Sequence, residues 1–355
     1  MDLKRLFLFA AGMAAVVGAI LLVTLVRGGN VEHAFAFWGE HLIIVAIWLV
    51  LTLSLNLING YCGLFSLGHQ GFWAAGAYAA AATVTYMPSG GDHNWLGFFL
   101  SFPIAIFVAA AFGLLVGLPC LRLKGDYLAI ATLGFSQILR NLIENSEWLK
   151  KSAGLSLPNV IRTATTKNWN YGIYLVLSWS AVALTVWILR NLIRSSHGRA
   201  IQAIRDDERA AELLGVNLTH YKVLVFVTGA ALAGLAGALF ANFNAFVSTG
   251  HFDFNRGVEM VVMVVLGGMG NMRGTIAATV VLYFTGNVFL KWLPAVNVPV
   301  FWDPAQGGVV YRDIKDLWQI FYSLLLIVVV LARPQGLLYR DHTLAQSKRM
   351  TKGAA

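Results

Sequence analysis

The chain has 355 residues, of which 58% are hydrophobic and 12% charged, about half the charged fraction that a wetted globular surface carries. With a mean hydropathy of +0.68, an ordinary water-soluble fold is excluded and lipid becomes the solvent for much of the surface. The net charge of +9 would suggest nucleic acid only as a basic patch on a soluble fold; here it is read as loop charge.

A helix crosses the hydrocarbon layer with about 20 apolar residues, within a range of ~17–25. In chain order the candidate spans are 6–26, 42–58, 64–87, 96–118, 127–143, 171–189, 221–243, 257–270, 275–290 and 317–332. Lys4 and Arg5 before the first run resemble the start of a secretory signal, but an uncharged stretch of that length exceeds a signal's apolar region, so a retained span is expected. The segments either side of Gly270 are short and read as two spans, as broken halves, or as one helix with a re-entrant excursion. The fold class is therefore all-α and polytopic, with about ten helices (eight to ten) and glycine-rich breaks.

With ten spans both termini share a side. Sixteen of the 26 Lys and Arg residues fall on that side and ten on the other, so the positive-inside rule makes the termini and the 190–222 loop cytoplasmic. The opposite face carries the residues Pro88 to Trp95, without Lys or Arg, and Trp292, Trp302 and Trp318, which fit an aromatic belt. Cys62 and Cys120 are too few for a disulfide framework and are read as packing residues.

Four stretches carry possible chemistry. The first runs from Gly60 to Tyr78 and holds glycines at 60, 63, 68 and 71, where each weakens a helix by ~1 kcal/mol relative to alanine. Irregular backbone at membrane depth needs burial in protein or a watered cavity, so Ser66, Gly68, His69 and Gln70 read either as pathway lining or as a close helix crossing. In the second, Arg122, Lys124 and Asp126 mark a membrane boundary, with Asp126 a candidate cap, and Thr132, Ser136 and Gln137 give the next helix a polar stripe. The third, with Gly267, Gly268 and Gly270, lacks the phosphate-loop spacing and reads as a kinked break between half-helices, with Gly267 and Gly268 exposed to the pathway.

The fourth is the 190–222 loop. Ile204, Ala211 and Leu214 fall on one helical face and Gln202, Arg205, Arg209 and Glu212 opposite, but Asp207 interrupts the apolar face. Two short helices are expected, with Asp206 or Asp207 capping the second, Gly215 ending it, and Asn217 or Thr219 capping the next. Mixed charge and an alanine-rich face suit a protein partner better than a lipid surface. No nucleophile–base pair, metal-ligand spacing or cofactor motif occurs, and histidines 33, 41, 69 and 93 are isolated. An ion-coupled transporter would need a carboxylate near mid-membrane, and Glu259 is the main candidate, close to the outer boundary.

Taken together, the chain resembles the membrane permease subunits of bacterial ABC importers for branched-chain amino acids, and among them the longer of two permease types. The resemblance is carried by Gly63 to His69 with Gly76-Ala77-Tyr78, by Leu121 to Ile130, by Gly198 to Asp207 with Ala210-Ala211 and Gly215, by Gly267-Gly268-Met269-Gly270, and by Arg333-Pro334-Gln335-Gly336-Leu337. It implies a permease domain over 42–338, preceded by a span and outer loop at 1–41 and followed by a cytoplasmic tail at 339–355. It implies a pore formed with a second permease subunit, fed by a periplasmic solute-binding protein and driven by cytoplasmic ATP-binding subunits, in the bacterial inner membrane. The chain itself would hold no cofactor and no catalytic residue. The coupling loop would be Arg205, Asp206, Asp207, Glu208, Arg209, Ala210, Ala211, Glu212 and Gly215; Arg209 stands where the family pattern has glutamate. The segment Lys151 to Pro158 also departs from the family's Thr-Gly-Gly-Pro-like loop, and relatives serve urea and other small solutes, so the resemblance leaves the solute open.

Overall fold

In a computed structural model, residues 31–87, 95–120, 123, 125–149, 153–158, 167–289, 297–303, 308–313 and 324 are described. The expected span 6–26, all of the expected span 317–332 but Leu324, the tail 339–355, Arg122, Lys124, Lys151, Ser152, Trp292, Trp318 and the Arg333 to Leu337 motif lie outside them.

Helix α1 (Val31–Asn56) continues into a π-turn at Leu57–Tyr61. It is followed by α2 (His69–Tyr86), α3 (Trp95–Cys120), α4 (Asp126–Asn145) and α5 (Lys167–Arg194). The short α6 (Ser196–Asp206) and α7 (Glu208–Leu213) precede α8 (Leu218–Asn244), α9 (Phe254–Gly267) and α10 (Met272–Phe284). The chain is an all-α polytopic membrane protein. Among the described residues four stretches, Phe37–Tyr61, Trp95–Cys120, Tyr171–Arg194 and Leu218–Asn244, are long and apolar enough to cross a bilayer. Their burial differs with their role. The apolar window of α1 is 94% buried, so α1 is the central post, whereas only 28% of α3's window is buried and Phe99 and Phe107 point outward.

The core forms where α2, α3 and α8 cross. Lipid tails are as apolar as leucine, so helices in a membrane associate through shape, and small residues permit the closest approach. A Cβ on Gly76 of α2 would stand 2.4 Å from the Gly234 Cα of α8, and one on Gly234 would stand 2.5 Å from the Ala109 Cβ of α3. Around the other side of α1 pack α5, α9 and α10.

Helix α9, of 14 residues, is about 20 Å long at 1.5 Å per residue, short of the ~30 Å hydrocarbon layer, whereas α10, of 13 residues, continues into a π-turn at Thr285–Phe289. They form a hairpin: a Cβ on Gly267 would meet the Thr275 backbone at 2.5 Å, and Gly268 and Gly270 supply φ of +90° and +79° in the turn. The turn falls at the glycine break that the sequence reading placed there.

Two small antiparallel sheets were not foreseen. Strand β1 (Leu155–Ser156) pairs with β2 (Phe246–Val247), tying the segment after α4 to the one after α8, and β3 (Asn297–Asp303) pairs with β4 (Gly308–Asp313). Asp126 was expected as a cap; instead it occupies the first turn of α4, and Gly125 holds the cap position at φ +58° without a side-chain bond.

Candidate functional site

Residues that the alternation of spans assigns to one face meet in space. At one end Gly60, Arg205 and Gly270 touch. At the other, Arg140 bonds Asp253 at 2.8 Å and Glu144 at 3.0 Å, and Leu155 pairs with Val247. There the Thr249 hydroxyl, then the Arg140 guanidinium, hold the Glu144 carboxyl below its usual range. Glu259 is tied to Arg256 at 2.9 Å, which leaves it engaged in an ion pair.

Between α1, α2 and α4 runs a chain of buried polar groups. The non-helical backbone at 62–68 is held by Asn59, whose Oδ1 accepts the Ser66 N–H at 3.1 Å and whose Nδ2 reaches the Ser66 carbonyl at 3.4 Å. The Leu67 N–H donates to Thr132 Oγ1 at 3.2 Å, and a Cβ on Gly68 would stand 2.2 Å from the Thr132 carbonyl oxygen. Gln70 Nε2 donates to Ser136 Oγ at 3.1 Å, and Gln70 Oε1 faces the space that a Cβ on Gly257 of α9 would fill.

His69 lies 2.7 Å from Ser54 Oγ through Nε2, while the Ser54 hydroxyl donates to the Leu51 carbonyl at 2.8 Å. With its one proton committed there, Ser54 accepts from His69, which sets the Nε2–H tautomer. Nδ1 is then a bare acceptor, and it, Gln70 Oε1 and Ser66 Oγ are buried without a partner among the described residues. Ser66, Gly68, His69, Gln70 and Thr132 are thus brought together, all buried, where α2 meets α4. Gly267 and Gly268 are buried at the α9–α10 turn instead.

The coupling-loop candidates divide into two groups. The expected pair of helices forms, and Asp207 is the cap between them, its Oδ1 accepting the N–H groups of Arg209 at 2.9 Å and Ala210 at 3.1 Å. Gly215 ends the segment at φ +83°, and Asn217 caps α8 by accepting the His220 N–H at 3.1 Å. Ala211 is buried, and Glu208 bonds Lys222 at 2.5 Å, Lys222 lying in the first turns of α8 with 7% of its side chain exposed. Arg205, exposed overall, donates through Nη1 to the Gly60 carbonyl at 3.1 Å, while Asp206 accepts from it at 3.1 Å. The exposed set is Arg205, Asp206, Asp207, Arg209, Ala210, Glu212 and Gly215.

Leu214 corrects the sequence reading. It was placed on the apolar face, yet α7 ends at Leu213, and Leu213 and Leu214 are 89% and 83% exposed. A helical wheel extended through Leu214 assumed a turn that the chain does not make. The Glu208–Lys222 pair also escaped the sequence, because fourteen residues of separation across a cap carry no local periodicity.

The Branched-chain amino acid transport system / permease component family matches residues 37–330. The chain is 33% identical to the high-affinity branched-chain amino acid transport system permease protein LivM of Salmonella typhimurium, over 94% of this chain and 75% of that protein. It is 26% identical to the permease protein LivH of the same organism, over 82% of this chain and 91% of that one. It is also 25% identical to a probable branched-chain amino acid transport permease protein LivM of Methanocaldococcus jannaschii, over 82% and 90%. No solved structure matches. With its broken helices, its buried polar seam and a family match across most of its length, the chain belongs to the permease components of branched-chain amino acid transport systems.

Proposed function

We propose that this chain is the longer of two permease subunits in an ATP-driven importer of branched-chain amino acids, set in a bacterial inner membrane with both termini cytoplasmic. The observation that carries the reading is α7. A six-residue helix is too short to be stable alone, yet it is fixed from beneath by the Asp207 cap, buried Ala211 and the Glu208–Lys222 pair. It turns Arg209, Ala210, Glu212, Leu213 and Leu214 to solvent. Two adjacent exposed leucines on a fixed platform suit a groove on a partner protein, here the ATP-binding subunit. ATP hydrolysis then resides in that partner, and a solute-binding protein delivers substrate on the opposite face.

Ser66, Gly68, His69, Gln70 and Thr132, with Gly267 and Gly268 at the hairpin turn, are the proposed pathway lining. Bare acceptors on His69 and Gln70 suit donors such as a substrate ammonium or passing water. The His69→Ala variant is expected to lower uptake more than folded yield; equal loss of both would make His69 a packing residue.

The importer reading is tested by reconstituting the chain with its neighbouring permease, ATP-binding and solute-binding subunits in liposomes. Leucine, isoleucine and valine uptake should require ATP and the ATP-binding subunits. Uptake by the chain alone, in liposomes free of them, would contradict it.

A further inference from the structure

Arg205 was expected among the residues that face a partner; its side chain is 34% exposed, yet one edge of its guanidinium also reaches back to the membrane-spanning part of the chain. Nη1 donates to the Gly60 carbonyl at 3.1 Å, across 145 positions of sequence. The same nitrogen lies 2.9 Å from where a Cβ on Gly270 would stand, and the Arg205 Cγ lies 2.8 Å from where one on Gly63 would stand, Gly63 being at φ +73°. Two glycines from two separate breaks, Gly63 and Gly270, therefore leave the space this one side chain fills, a berth beside the Gly60 carbonyl.

Three further bonds make the berth specific. Asp206 Oδ1 accepts from both Nε and Nη2 at 3.1 Å, which fixes the plane of the guanidinium. Asn56 Oδ1 accepts the Gly270 N–H at 2.9 Å, so the end of α1 and the α9–α10 turn are already one unit when Arg205 reaches them. The Gly60 carbonyl sits at the C-terminal end of α1 and its π-turn, where unpaired carbonyls and the helix dipole favour a cation. Arginine suits the place because a planar fork holds several acceptors in fixed directions, whereas lysine offers a point charge.

We infer that Arg205 is a positioning residue that transmits movement of the α6–α7 segment to the two glycine breaks, at Gly60 and at Gly270. The inference rests on the importer reading, in which α7 is the part a motor subunit moves. Arg205 stands two residues before the Asp207 cap that joins α6 to α7, so a displacement of α7 either carries the end of α1 and the hairpin turn with it or breaks the Gly60 bond. Both breaks adjoin the proposed pathway.

The test uses the complete importer in liposomes with Arg205→Met, which keeps the stem and removes the fork, and with Arg205→Lys. Uptake of leucine and hydrolysis of ATP are measured separately, and maleimide labelling is read by mass spectrometry at Cys62 and Cys120. Cys62 lies between Gly60 and Gly63 and is 2% exposed, while Cys120 is part-exposed and serves as the reference. Arg205→Met should keep the ATP-binding subunits yet lower uptake per ATP about 10-fold, within the usual span of coupling between sites. Cys62 labelling should accelerate with Cys120 unchanged, and Arg205→Lys should fall between. An unchanged uptake-to-hydrolysis ratio overturns the inference. So does equal acceleration at both cysteines, or loss of the ATP-binding subunits with Cys62 still protected. If the wild-type chain itself shows no ATP-dependent uptake, the importer reading fails, and the Cys62 comparison still decides whether Arg205 holds the break.

Discussion

Along α8 the protein uses two kinds of contact. In its middle, Gly234 and Gly237 let the helix approach α2 and α3 so closely that backbone meets backbone. At its first turns, Lys222 meets Glu208 through charge, and the short α7 hangs on that pair and on the Asp207 cap. The difference follows from the surroundings. Inside a bilayer there is no water to drive apolar surfaces together, so shape decides, whereas at the aqueous edge caps and ion pairs fix a helix too short to hold itself. The first region is expected to fail through bulk and take the fold with it. The second is expected to fail through chemistry and take only its own segment.

The largest effect should come from bulk at the crossing. Gly76→Leu places atoms where the Gly234 backbone stands, and overpacking against backbone costs about 3 kcal/mol. Thermal unfolding in detergent should show a large fall in midpoint. A midpoint unchanged from wild type would mean that the helices part at no cost and that shape does not hold this crossing.

Removing the charge at the edge should do less. Glu208→Gln leaves the Lys222 ammonium buried beside a neutral partner, at a cost of about 2 kcal/mol. Hydrogen exchange should rise in α7 and the start of α8 while the α2–α3–α8 crossing stays protected. Uniform loss of protection would erase the distinction between the regions. Glu212, exposed and outside this pair, is the place for a charge reversal that probes the partner without disturbing the segment.

The smallest effect concerns His251, in the connection between α8 and α9, where Nδ1 accepts the Ser248 N–H at 3.3 Å. Burial first, and the Arg256 charge second, hold its pKa below the ordinary value of about 6.5. The unfolded chain therefore takes up the proton at higher pH than the folded one. Stability from the neutral ring is present above about pH 6.5 and declines as pH falls from there toward the depressed folded value. His251→Gln should flatten that part of the pH–stability curve; a curve of unchanged slope would remove His251 from the account.

Much of this was legible in the sequence, and the reasons differ by region. Asp207, Gly215 and Asn217 announced two short helices and a restart because caps and left-handed turns are local rules written in adjacent residues. Gly268 and Gly270 announced a break in the helix for the same reason, though not the hairpin it makes. What escaped depended on partners far along the chain. Arg205 looked like a surface charge until Gly60 and Gly270 stood beside it, and Ser54, which fixes the His69 tautomer, belongs to another helix. Leu214 was misplaced by continuing a helical period one residue past its end.

Under the proposed function, α7 is the platform on which the motor subunit acts. The most direct test of this is the double variant Leu213→Asp/Leu214→Asp, purified together with the partner subunits. The two side chains are solvent-exposed, so folding should shift by no more than about 0.5 kcal/mol. The account predicts an unchanged unfolding midpoint, an intact permease pair, and loss of the ATP-binding subunits with loss of ATP-driven leucine uptake. Retention of those subunits at wild-type stoichiometry, with uptake intact, would contradict it.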